Sequence, residues 1–161
     1  MIVTRTCKTL LLAAMGFFFT LVVFNNVTDF DSNYQFVRHV LMMDSTFPGN
    51  KGMWRAVSAP WVHVAFYLGI ICWEIVNAVL CWWGSIALFR ALRGTAAEFA
   101  SAKSVGVAAL TSGMLQWFVA FLCIGAEWFL MWQSKVWNGQ EAAFRMFAIE
   151  GMVLVVLLLP E

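Results

Sequence analysis

Three glutamates, Glu74, Glu127 and Glu150, stand in three separate long apolar stretches. An ionisable side chain near the centre of a membrane helix costs about 2.5–3.5 kcal/mol, so an acid in such a place needs a physical reason. A carboxylate there can take up a proton or a cation, or it can join helices by hydrogen bonding. His63, at the entrance of the second stretch, adds an imidazole, which titrates near neutral pH and ligates metals. A single histidine at a helix entrance reads more simply as an interfacial polar group, and no metal site is expected. His39 and His63 lie on different segments, so a bis-histidine haem site is not expected either.

Other chemistry is sparse. Cys7, Cys72, Cys81 and Cys123 form no C-x-x-C pair and read as small buried hydrophobes. There is no G-x-S-x-G elbow, no Cys–His pair and no phosphate-binding glycine loop, so no catalytic residue is assigned and the chain is expected not to be an enzyme. No cofactor is predicted. Mid-span Trp73 and Trp117 leave room for one class of small molecule, the apolar tail of a bound lipid or quinone.

These residues must be positioned by membrane helices. The 161 residues are 62% hydrophobic and 12% charged, with a mean hydropathy of +0.79, which is outside the range of soluble domains. A net charge of +1 with scattered Lys and Arg provides no footprint for nucleic acid. Spans are predicted over about 6–26, 60–89, 105–132 and 142–159, the last stopping at Pro160-Glu161. The first lacks a small-residue cleavage pattern after Val23-Phe24-Asn25 and reads as an uncleaved helix. Pro60 suits a first helical turn, and Thr95-Ala96-Ala97-Glu98 is a capping box that starts the third helix early. In the exterior loop 27–58, Asp31 and Ser32 are predicted to cap a short interfacial helix with Phe36, Val37, Val40 and Leu41 on one side.

On the second span His63, Tyr67, Ile70, Glu74, Asn77, Cys81 and Gly84 recur at steps of four and three and share a face. Ala109, Gly113, Gln116, Ala120, Cys123 and Glu127 do the same on the third, Thr9, Ala13, Gly16 and Thr20 on the first, and Ala143, Phe147 and Glu150 on the fourth. Such small-and-polar seams let membrane helices approach closely. The expected fold is an all-α membrane protein, a four-transmembrane-helix bundle forming one domain over 1–161. Glu74 is expected at mid-span, either as a proton- or cation-responsive carboxylate or as helix glue bonded to Asn77 or Gln116. Glu127 and Glu150 are expected together near the outer interface, level with His63 and within reach of Arg145.

Orientation rests on a charge bias. Arg5, Lys8, Arg90, Arg93 and Lys103 fall in short segments beside helix ends, which favours both termini in the cytoplasm and loop 27–58 outside. The string Asn25-Asn26-Val27-Thr28-Asp29, with Asn33, Phe36 to Leu41, Met43-Asp44 and Trp54-Arg55, resembles a bacterial family of predicted small integral membrane proteins catalogued only as a domain of unknown function. Glu74, Gln116-Trp117 and Glu127-Trp128 extend the resemblance over nearly the whole chain. It implies a four-span protein of the bacterial inner membrane with no established activity. It also draws attention to Asn26, Thr28, Asp29, Asn33, His39, Asp44 and Trp54 as partner-loop residues. Two functions are expected. The first is an accessory subunit of a larger respiratory or transport complex, packing through aromatic helices and loop 27–58 among lipid and other subunits. The alternative is a small proton- or cation-linked transporter or channel, working as a homo-oligomer and using Glu74, Glu127, Glu150 and His63.

Overall fold

The computed structural model describes residues 2–160, so Met1 and Glu161, the two ends of the predicted domain, lie outside the described residues. The architecture is all-helical, with no strand among the described residues. Helix α1 covers Ile2–Thr28, α2 Phe30–Met42, α3 Pro60–Ala91, α4 Ala96–Leu115 and α5 Gln140–Leu158. The chain leaves α4 without a break into a π-helix, Gln116–Trp128. Single 3₁₀ turns occupy Met53–Arg55 and Met131–Gln133.

Local sequence explains most boundaries. Pro60 opens α3, where its missing N–H costs nothing. Thr95 accepts from the Glu98 amide at 3.2 Å while the Glu98 carboxylate accepts from the Thr95 amide at 2.6 Å, so the capping box forms as predicted and α4 begins at Ala96. Helix α2 departs from expectation. Its cap position is Asp29, directly after α1, which places Asp31 and Ser32 inside the first turn rather than before it. The Asp29 carboxylate instead accepts from the Ser32 hydroxyl at 2.7 Å.

Helices α1, α3 and the continuous α4–π segment are long and apolar enough to cross a membrane. With 32 residues, α3 is about 48 Å long at 1.5 Å per residue, well beyond the ~30 Å hydrocarbon core. Glu141, Arg145 and Glu150 all fall within the 19 residues of α5, which keeps that helix out of the same class.

Neighbouring helices run antiparallel. The Arg5 guanidinium donates to the carbonyls of Leu92 and Gly94 at 3.0 and 2.7 Å, while Asn26 reaches the middle of α3. Helix α3 also packs on α4, α4 on α5, and α5 touches α1. At the α3–α4 crossing the backbones nearly meet, because a Cβ on Gly84 would lie 2.9 Å from the Gly106 nitrogen. The inward face of α1 is bulkier than predicted. Leu12, Met15 and Phe19 are buried there, Ala13 is half-buried and Thr20 is exposed, its hydroxyl accepting from Trp82 Nε1. The cysteines also differ from expectation: Cys81 is buried, but Cys7, Cys72 and Cys123 lie on the outer surface.

Two apolar clusters result. One, around Leu12, Phe19, Leu88, Phe99, Leu110 and Leu157, fills the end where Lys8 and Lys103 donate to the Leu159 carbonyl and so cap α5. The other, around Val37, Leu41, Tyr67, Ile71 and Phe129, fills the end covered by α2. Since α1 stops at the level of Glu74, α2 occupies the space that α1 leaves beside the upper part of α3. Gly84→Ala should lower stability by about 1–3 kcal/mol, because the Gly106 backbone cannot move aside. A melting temperature in detergent equal to that of the parent would contradict the close approach.

Candidate functional site

A polar layer lies between the two clusters. Asn26, Glu74, Asn77, Gln116 and Glu150 are each no more than 4% exposed. The α3 face predicted from spacing places Glu74 and Asn77 there, one turn apart. Glu74, however, does not bond to Asn77 or Gln116 as expected. Its Oε2 accepts from Asn26 Nδ2 at 2.7 Å, and Asn77 Nδ2 donates to Gln116 Oε1 at 2.8 Å. Asn26 Oδ1 in turn accepts from Asn33 Nδ2 at 2.6 Å. Asn26, expected as a loop residue, is therefore a core residue of α1. It continues the line of Leu12, Met15 and Phe19, and following that helical face one further heptad places it inside.

The other two acids separate, against the expectation that they sit together. Glu150 is at 0% exposure, its Oε1 accepting from Trp117 Nε1 at 2.9 Å and its carboxylate filling the space that a side chain on Gly113 would take. Glu127 is exposed and its carboxylate makes no hydrogen bond among the described residues, although its backbone carbonyl accepts from Arg55 at 3.4 Å. The cause is the π-helix. Its i→i+5 bonding changes the angular step, so the predicted seam holds through Ala109, Gly113 and Gln116 and then fails. Past that point Trp117, Gly125 and Ala126 turn inward, while Cys123 and Glu127 turn outward. Arg145 is exposed and pairs with neither acid.

His63 is also not beside the glutamates. Buried at the α2 end, it donates from Nε2 to the Val57 carbonyl at 2.8 Å, while the Val57 amide donates to Leu41. His63 Nδ1 is sealed and has no hydrogen-bond partner among the described residues. The remaining loop residues form a rigid cover. His39 Nδ1 lies 2.7 Å from Asp44 Oδ2 and its ring stacks on Trp137 at 4.7 Å. Ser45 donates to Ser134, and the Gln133 side chain accepts from the Phe47 amide. The Thr28 hydroxyl donates back to Phe24, and Trp54 stands 76% exposed with its ring edge-on to Trp128.

One cavity reaches the polar layer. About 250 Å³ in volume, it is lined by Asn26, Asn33, Tyr67 and Glu74 together with the rings of Phe36, Trp117 and Phe121. Glu74 Oε1 makes no hydrogen bond among the described residues, and it is not one of the sealed, partnerless polar atoms. Glu150 Oε2, in contrast, is sealed. The two buried acids thus differ in kind: Glu74 lies on a cavity wall, Glu150 behind Trp117. Tyr67 is legible from the spacing on α3 and Trp117 from its mid-span place, whereas Phe121 and the Asn26–Glu74 bond are not. No group of three or more His, Cys, Asp or Glu that could hold a metal is present among the described residues.

A family model described as a predicted small integral membrane protein, DUF2165, matches residues 4–160. The chain belongs to this family. That match agrees with the resemblance read from the sequence, which runs over nearly the whole chain. No curated protein and no solved structure matches the chain.

Removing the Asn26 amide leaves a buried carboxylate short of a donor, which costs about 1–3 kcal/mol. In a double-mutant cycle, Asn26→Ala and Glu74→Ala should couple by about 0.5–3 kcal/mol in unfolding from detergent micelles. Additive effects would show that the 2.7 Å bond is not made in the folded protein.

Proposed function

We propose that this chain is a non-enzymatic, cation- or proton-linked protein of the bacterial inner membrane, with Glu74 as the group that takes up the ion. The observation that carries the proposal is the position of Glu74: 3% exposed, bonded through one oxygen to Asn26, and presenting the other toward a cavity. Intramembrane acids that face a cavity mark substrate and ion pathways.

A four-span bundle is part of the proposal. The start of α5 lies at the α2 end, where Gly139 abuts the Phe36 ring, and Leu159 at its other end meets Lys8 and Lys103. At 1.5 Å per residue its 19 residues reach about 28 Å, close to the ~30 Å hydrocarbon core, and of its three charges Glu150 is internal while Glu141 and Arg145 are exposed toward the α2 end. With the termini in the cytoplasm, the cavity belongs to the exterior half. Below Asn77 and Gln116 the apolar cluster around Phe19, Leu88 and Leu110 closes the way, so an alternating carrier fits better than an open channel. Further polar candidates from sequence, Glu127 and His63, do not contribute oxygen or nitrogen to this cavity.

An accessory role in a larger complex has one observation in its favour. Trp54, on a cover that is already stapled internally, and Trp61, in the first turn of α3, are 76% and 74% exposed. Lipid headgroups suit such tryptophans equally well, and this role leaves the cavity unexplained. Ion-driven flux into proteoliposomes should fall at least tenfold in Glu74→Gln and remain near parental in Glu127→Gln. Equal flux in the parent and Glu74→Gln would overturn the proposal, and recovery of a stoichiometric companion in gentle detergent would favour the accessory role.

A further inference from the structure

We infer that the cavity is a site for a small organic ammonium ion, held by the Glu74 carboxylate and the aromatic walls. This rests on the cation-linked reading of Glu74 and names the class of cation.

The hydrogen-bond directions follow once Glu74 is ionised, as a bound cation requires. An ionised carboxylate can only accept, so Asn26 must turn its amide nitrogen to Glu74 and its carbonyl oxygen to Asn33. Asn33 must then donate to Asn26, which leaves the Asn33 carbonyl oxygen as a further acceptor on the cavity wall. Tyr67 donates to the Asn26 backbone carbonyl at 3.5 Å, and its oxygen lone pairs remain available. Glu74 Oε1, the Asn33 carbonyl oxygen and the Tyr67 oxygen are acceptors around a negative charge, beside the second N–H of each asparagine amide, and the complement of the carboxylate is a positively charged donor or an onium group. An anionic ligand would meet a carboxylate with no cation beside it.

The walls separate an organic cation from a metal ion. Hard cations such as Ca²⁺ or Mg²⁺ take about six or more oxygens at short distance, and this cavity offers far fewer. It provides instead the rings of Phe36, Tyr67, Trp117 and Phe121, whose faces attract a weakly hydrated ammonium. Val22, Val37 and Ile70 add apolar surface for its alkyl groups. A volume of about 250 Å³ is large for a single ion and suits a compact organic one. Trp117 is fixed in place by its bond to Glu150, which makes Glu150 a positioning residue for the aromatic wall.

Isothermal titration of the purified full-length protein in nanodiscs can test this with choline and its neutral isostere, 3,3-dimethyl-1-butanol. Choline should bind saturably and at least tenfold more tightly than the isostere. Glu74→Gln should remove that preference, and Phe121→Leu, which keeps an apolar side chain but removes the ring, should weaken choline severalfold while leaving the melting temperature within a few degrees. Soluble short-chain phosphatidylcholine supplies a second arm. Tighter binding than choline identifies a lipid headgroup as the source of the ammonium, and weaker binding identifies a free amine; both support the site. Glu74-dependent binding of Na⁺, K⁺ or protons with no preference for choline over its isostere would overturn the ammonium site while leaving the cation-linked reading intact. Binding of no cation at all would overturn both.

Discussion

Everything in the middle of this molecule is arranged around a carboxylate that has been taken out of water. Glu74 lies between two apolar clusters, and a buried acid needs either compensation by hydrogen bonds or a route to a ligand. Asn26 provides the first through a bond of 2.7 Å, itself backed by Asn33 from α2. The cavity provides the second. This requirement also explains why α1 ends where it does. Its last turns deliver Asn26 to the middle of α3, and the chain then turns at Asp29 so that α2 brings Asn33 over the top.

The second buried acid obeys the same constraint differently. Glu150 is satisfied by Trp117 and lies in the space left by Gly113, with no opening. The π-helix makes this possible by starting at Gln116, so that Gln116 and Trp117 both face inward on consecutive positions. Long π-helical stretches are rare and gather at functional sites, and here the stretch supplies a wall of the cavity through Trp117 and Phe121. One irregular segment therefore serves Glu150 on one side and the cavity beside Glu74 on the other.

Much of this was legible in the sequence where helical periodicity is regular. The α3 face from His63 to Gly84 is buried at six of its seven positions, with Ile70 half-buried, and the Thr95–Glu98 box forms as its residues require. The failures have physical causes. Nothing in Trp117-Phe118-Val119-Ala120 announces i→i+5 bonding, so the register of Cys123 and Glu127 was misplaced. The polar run from Asn25 to Asp29 reads as a loop by composition, yet helical hydrogen bonding continues through Thr28 and carries Asn26 into the core. Long-range partners such as Asn26 and Glu74, 48 residues apart, are set by the packing of helices and not by local pattern.

The account turns on Glu74 opening to a cavity while Glu150 is sealed. Reaction of the membrane-embedded protein with a small apolar carbodiimide, followed by peptide mass spectrometry, distinguishes the two acids directly. Labelling at Glu74, with Glu150 spared, is the predicted result. Labelling at Glu150, or none at Glu74 under conditions that modify exposed Glu127, would contradict it.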